Sequence, residues 1–150
     1  MRRAIAKTRE GMAAGNSPFG CAIEQNGQLI ATAHNTVLTT IDSTAHAEVN
    51  AIRVGCKHIG KYFLEDGIVA TTCEPCPMCM SALHWARVDT VYFGATVQDA
   101  ADCGFNELYI DAQQILSMGK SKVKLIGGIL SDECKELFND YCNMPGAKKY

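Results

Sequence analysis

A chain of 150 residues with 47% hydrophobic and 20% charged side chains is long enough for one domain whose core covers roughly 70% of the surface exposed by its unfolded form, so disorder is not expected outside the C-terminal tail and disulfide staples are not needed. A net charge of -2 and an isoelectric point near 6.1 lack the basic footprint of proteins that grip a nucleic-acid backbone. Apolar runs such as 125–130 fall short of the ~20 residues needed to cross a bilayer, and Lys7, Arg9 and Glu10 interrupt any secretion signal, so a reducing cytoplasm is the expected location.

In chain order, apolar spacing at Ile5, Met12 and Ala13 predicts a helix ended by Gly15 and Asn16. Cys21–Glu24 and Leu29–Ala33 flank Asn26-Gly27 and read as a β-hairpin. A polar loop over 35–43 leads to Thr44, the expected N-cap of a helix through Ala45, Val49, Ile52 and Arg53 with Gly55 near its end. Ile68–Thr72 is a buried strand by composition, and Pro77 opens a helix to about Trp85. Strands at Thr90–Phe93 and Val123–Ile126 follow, separated by a helix over about 111–116. Ser131 is the expected N-cap of a last helix to about Tyr141, whose apolar face carries Cys134, Leu137, Phe138 and Tyr141. This order implies one mixed sheet of five strands sandwiched by helices in a single α/β domain.

Eight cysteines are many for such a chain, and in a reduced compartment most are small buried hydrophobes, with clustered ones pointing to metal. The cluster is T-T-C-E-P-C-P-M-C at 71–79. Cys76 and Cys79, three apart at a helix start, present two sulfurs on one side, where the helix dipole favours thiolates. His46, in T-A-H-A-E at 44–48, can supply a nitrogen, leaving a fourth tetrahedral position to water. Glu48 stands about 200° around the helix from His46 and is therefore expected beside the metal, moving a proton between water and substrate. Cys73, at the strand end, is the bystander in this reading; a closed structural zinc site using all three cysteines is the alternative.

H-x-E followed by P-C-x-x-C is the signature of zinc-dependent nucleobase deaminases. Together with N-S-P-F-G at 16–20, D-S-T-A-H-A-E-V-N-A-I-R at 42–53, W-A-R at 85–87 and D-A-A-D-C-G-F at 99–105, it makes the chain resemble the cytidine deaminase-like superfamily, and within it the small bacterial guanine deaminases. The resemblance implies a three-layer α/β/α sandwich, a homodimer, one zinc per subunit and hydrolysis of guanine to xanthine and ammonia, a purine base rather than a nucleic acid being the partner. It further implies that Asn35 bonds the purine, that Phe19 and Trp85 form apolar walls, and that the backbone of Ala47 reads the base edge. Tyr150 would close the pocket through a tail, 144–150, exchanged between subunits. After G-F the chain has Asn106 and Glu107 where an acidic pair is usual, so Glu107 is the candidate to orient substrate or shuttle a proton. L-I-G-G-I-L at 125–130 with D-E-C at 132–134 is also similar to tRNA adenosine deaminases. Deamination of tRNA adenosine, or of cytosine or another small amino-heterocycle, stays open beside guanine, as does a zinc-stabilised module without catalysis.

Overall fold

The structure, a computed structural model, describes residues 1–150. Its elements are α1 (Arg2–Ala13), β1 (Gly20–Gln25), β2 (Gln28–His34), α2 (Val37–Thr40), α3 (Ala47–Ile59), β3 (Ile68–Cys73), α4 (Pro77–Trp85), β4 (Thr90–Ala95), α5 (Val97–Asp102), α6 (Ala112–Met118), β5 (Lys124–Ile126) and α7 (Ser131–Cys142). The expected strands and main helices are all present. One five-stranded sheet runs in the order β2-β1-β3-β4-β5. β1 is antiparallel to both β2 and β3, whereas β3, β4 and β5 are parallel. The parallel half requires crossovers, and α4 and α6 provide them.

The hairpin forms where Asn26 and Gly27 both take positive φ, 53° and 77°, the conformation a two-residue turn demands. One core joins Ile23, Ala31, Val69 and Val91 of the sheet to Ala47 and Ala51 of α3, Met80 and Leu83 of α4, and Leu116 of α6. A second joins Ile5 and Met12 of α1 to Leu137, Phe138 and Tyr141 of α7, with Phe105 between. The sheet is thus covered by helices on both faces, in the three-layer arrangement expected. Two glycines permit the close approach of α1 and α7. A Cβ at Gly20 would lie 2.6 Å from the Ala4 carbonyl oxygen, and one at Gly94 would overlap the Cys134 sulfur.

Several boundaries differ from expectation, for local reasons. α3 continues past Gly55 to Ile59 because Gly55 belongs to the small-residue stripe Ala47, Ala51, Gly55 that lies against the sheet; the stop is Gly60, in the left-handed region at φ 68°. His46, in extended conformation, is the N-cap instead of Thr44, whose hydroxyl is engaged with Asp42 Oδ1. Leu130, at φ 52°, precedes α7 in place of Ser131, which is already helical. Two short helices were not expected: α2 within the polar loop, and α5. The latter is held by a reciprocal capping box, in which Thr96 Oγ1 accepts from Asp99 N–H and Asp99 Oδ2 accepts from Thr96 N–H.

The cysteines also depart from expectation. Cys103 and Cys142 form a disulfide, although the chain was expected to fold without one. The aromatic packing of Phe105 on Phe138 and Tyr141 brings the end of α5 to the end of α7, with Cα atoms 6.5 Å apart, within bonding range for two cysteines.

Candidate active site

His46 and Cys76 play the same structural part in different helices. Each is an N-cap in extended backbone conformation, and neither spends its side chain on capping. Both side chains are therefore free to turn toward each other. His46 Nδ1 lies 3.7 Å from Cys76 Sγ and 3.5 Å from Cys79 Sγ, and the three donor atoms fall within 4.8 Å of one another. A tetrahedral zinc with bonds of about 2.3 Å to sulfur and 2.0–2.1 Å to nitrogen needs such ligands about 3.5–3.8 Å apart. One imidazole and two thiols at these separations fit zinc.

Two helix N-termini converge here, each contributing a partial positive charge. The Cys79 hydrogen bond, with the bonds and charge of His46 against the opposing effect of burial, holds Cys76 down at about 4. Cys79 is pushed well above the ordinary thiol range by its hydrogen bond with Cys76 and by burial. Burial disfavours the His46 imidazolium, yet its bond to Cys76 and the charges of Glu48, Cys76 and Glu107 outweigh that, and its pKa is raised. Without metal, the corner thus favours a thiolate at Cys76 beside an imidazole that keeps its proton to higher pH than a free one. Cys73, by contrast, directs its thiol to the Thr96 carbonyl oxygen at 3.4 Å, and burial pushes its pKa well up. It lies outside the ligand trio.

Glu48, in the first turn of α3 and 6% exposed, lines the pocket beside the trio and does not join it. Burial, then the negative charge of Cys76, raises its pKa. A carboxylate so placed keeps its proton to higher pH than an exposed one, the direction that general acid–base work requires.

The pocket beyond it gathers most of the expected residues: Phe19, Asn35, Glu107 and Tyr150 line it with His46, Glu48 and Cys76. Phe19 is fixed edge-on by Phe105 and Phe138, ring centroids 5.0 and 5.5 Å away. Asn35 is buried at the end of β2; its Oδ1 accepts from Val37 N–H at 3.0 Å, and its Nδ2 donates to the Tyr150 hydroxyl at 2.6 Å. Burial raises the Glu107 carboxyl and pushes Tyr150 up to about 12. Ala47 is fully buried at the first position of α3, where a backbone N–H has no intrahelical partner, and its side chain is not in the pocket wall.

The structure does not bring Trp85 to this pocket. Trp85 is 78% exposed and borders a separate shallow cleft with His84 and Ile115. Six residues on from Cys79, it stands about 240° around α4 from the metal corner, so its ring turns outward. The tail lies over the pocket, with Asn106 N–H donating to the Tyr150 carbonyl oxygen at 2.9 Å. Tyr141 pins it, donating to the Lys148 carbonyl oxygen at 2.7 Å while accepting from Lys148 N–H at 3.1 Å.

Other residues that build the site were not singled out from sequence. Asn50 Nδ2 reaches the carbonyl oxygens of His34 and Ala45 and the Thr36 hydroxyl, tying the chain before His46 to β2. Glu74 Oε1 accepts from Ala112 N–H at 2.9 Å, anchoring the far end of the segment that carries Glu107. Thr71 donates to Glu48 Oε1 at 2.9 Å. T-x-x-D at 96–99 was a legible cap; Asn50, Glu74 and Thr71 act across long sequence separations and had no local signal.

A three-layer sheet fold with a His-Cys-Cys corner and a buried glutamate defines a zinc-type nucleobase deaminase, and the chain belongs to the family described as the cytidine and deoxycytidylate deaminase zinc-binding region, whose model matches residues 1–95. Among individual proteins it is similar to the guanine deaminase of Bacillus subtilis, 48% identical over 111 residues covering 73% of this chain and 71% of that one. The tRNA-specific adenosine deaminase of the same organism is 33% identical over 134 residues, 89% of this chain and 81% of the other. A solved structure of guanine deaminase from Nitrosomonas europaea superposes with a TM-score of 0.86 at 25% identity, covering 94% of this chain and 81% of that one.

Proposed function

We propose that the protein hydrolyses guanine to xanthine and ammonia as part of purine breakdown, and that it works as a homodimer with one zinc per subunit. The observation that supports the choice of substrate is the covering of the pocket by Tyr150, whose hydroxyl meets Asn35 in the same pocket that His46, Glu48 and Cys76 line. A mouth covered by Tyr150 suits a free base. An anticodon loop would need that mouth open and a basic surface around it, and the chain carries a net charge of -2. The 48% identity to a guanine deaminase supports the same choice.

Zinc held by His46, Cys76 and Cys79 would supply an activated water, its pKa lowered to about 7. Glu48 would deliver two protons in turn, the first to a ring nitrogen and the second to the leaving amine, both drawn from the attacking water. Asn35 keeps one amide hydrogen and one oxygen lone pair beyond its bonds to Tyr150 and Val37, enough to pair with a purine edge. Phe19 walls one side, the backbone of Ala47 faces the base edge, and Glu107 is placed to orient the substrate. Exposed Trp85 of α4 and Met118 of α6 support a second copy packing on the side of the molecule away from the α1 and α7 layer, since exposed apolar groups of this size favour association.

Ammonia release from the zinc-loaded protein, assayed against guanine, guanosine, cytosine, adenine and tRNA, tests this reading. Guanine is expected to give the highest kcat/KM. Release from tRNA with none from guanine would transfer the activity to the adenosine deaminase reading, which the 33% identity supports. Release from none of them would leave a zinc-stabilised module.

A further inference from the structure

Glu48 is placed on α3 by its backbone, but its three side-chain torsions need a further constraint before one carboxylate oxygen can be aimed reproducibly. The constraint available is Thr71. It lies in β3, its backbone paired with Cys21 of β1 on one side and Phe93 of β4 on the other, and it is 1% exposed. Its β-branched side chain has few rotamers to choose from. The hydroxyl donates to Glu48 Oε1 at 2.9 Å, a charge-assisted bond when the carboxylate is ionised.

We propose that Thr71 is a positioning residue for the deamination reaction: by tethering one oxygen of Glu48 from the central strand, it leaves the other oxygen aimed into the pocket. This rests on the deaminase reading above. Thr71 reaches neither the ligand trio nor the pocket wall, so its effect passes through Glu48. The next residue provides an internal comparison. Thr72 is equally buried, but its hydroxyl accepts from Gly20 N–H at 3.0 Å, a bond between strands that has nothing to do with Glu48.

The test compares kcat, KM for guanine and zinc content in four zinc-loaded proteins: wild type, Thr71→Val, Thr71→Ser and Thr72→Val. Thr71→Val keeps the shape and the β-branch and deletes the hydroxyl. It is expected to lower kcat roughly tenfold, with KM within about twofold of wild type and zinc unchanged, the pattern of a lost transition-state interaction. Thr71→Ser restores the hydroxyl and is expected to return kcat to within about threefold. Thr72→Val should lower thermal stability while leaving kcat nearly intact. Unchanged kcat in Thr71→Val, a rise in KM alone, loss of zinc, or an equal fall in kcat in Thr72→Val would each overturn the proposal. A wild type that releases no ammonia from guanine overturns the deaminase reading instead, so the two failures are distinguishable.

Discussion

Cys76 and His46 make the site possible because each ends an extended segment at the moment a helix begins. The backbone N–H groups of both helix starts bias the corner toward negative charge, and the hydrogen bond from Cys79 with the bond and charge of His46 holds Cys76 down at about 4. Three expectations follow at this scale. Glu48→Gln should keep zinc, since Glu48 is outside the ligand trio, and lose turnover by about 100-fold or more; metal analysis beside an ammonia assay checks both. Cys73→Ser should retain zinc, whereas Cys76→Ser or Cys79→Ser should lose it. The raised values of Cys79 and His46 mean that both keep their protons to higher pH in the metal-free protein than the unperturbed groups do. Metal binding must displace those protons, so zinc affinity should rise with pH from 6 to 8 in competition with a chromophoric chelator; a flat profile would contradict the charge state argued here. The ligands and Glu48 were legible in the sequence because their spacings, H-x-E and C-x-x-C, are local. Asn50, Glu74 and Thr71 were not, because each bonds to an element folded against it from far along the chain.

At the scale of elements, the hairpin was legible from Asn26-Gly27 and α4 from Pro77, both residues whose backbone preferences are intrinsic. The end of α3 was misread at Gly55, because a glycine facing a sheet serves packing there and chain reversal waits for Gly60. Tyr141 was legible as an apolar residue of α7, and is buried, but its hydroxyl also clamps the tail. Tyr141→Phe keeps the ring and removes both bonds to Lys148. The tail should then close less firmly over the pocket, raising KM for guanine several-fold with a smaller change in kcat, since a lid that closes on substrate contributes to its binding; steady-state kinetics decide it. The Cys103–Cys142 disulfide joins the root of the same tail to the chain just before Phe105. Closing a loop of 39 residues restricts the unfolded chain and contributes about 2–4 kcal/mol, so Cys142→Ser should lower the melting temperature under oxidising conditions and change nothing under reducing ones.

For the whole molecule, the mixed five-stranded sheet and its covering helices followed from the alternation of strands and helices, while the strand order did not; the trio falls where β3 ends and α4 begins, with α3 delivering His46 from the antiparallel side. No helix is long and apolar enough to cross a membrane. What composition could not convey was the outward turn of Trp85, since a lone aromatic reads alike as core, pocket wall or surface. Its exposure belongs to the association proposed above, and light scattering should return twice the 16.2 kDa chain mass. The central claim is that this zinc-type corner, with Glu48 and a tail closed by Tyr150, deaminates a free purine. The most direct measurement follows the conversion of guanine to xanthine by protein loaded with one zinc per chain, with Glu48→Gln at the same zinc content beside it. The account predicts xanthine and ammonia in equal amounts from the wild type and about 100-fold slower conversion by the variant; no xanthine from fully loaded wild type, or equal rates from the two, would contradict it.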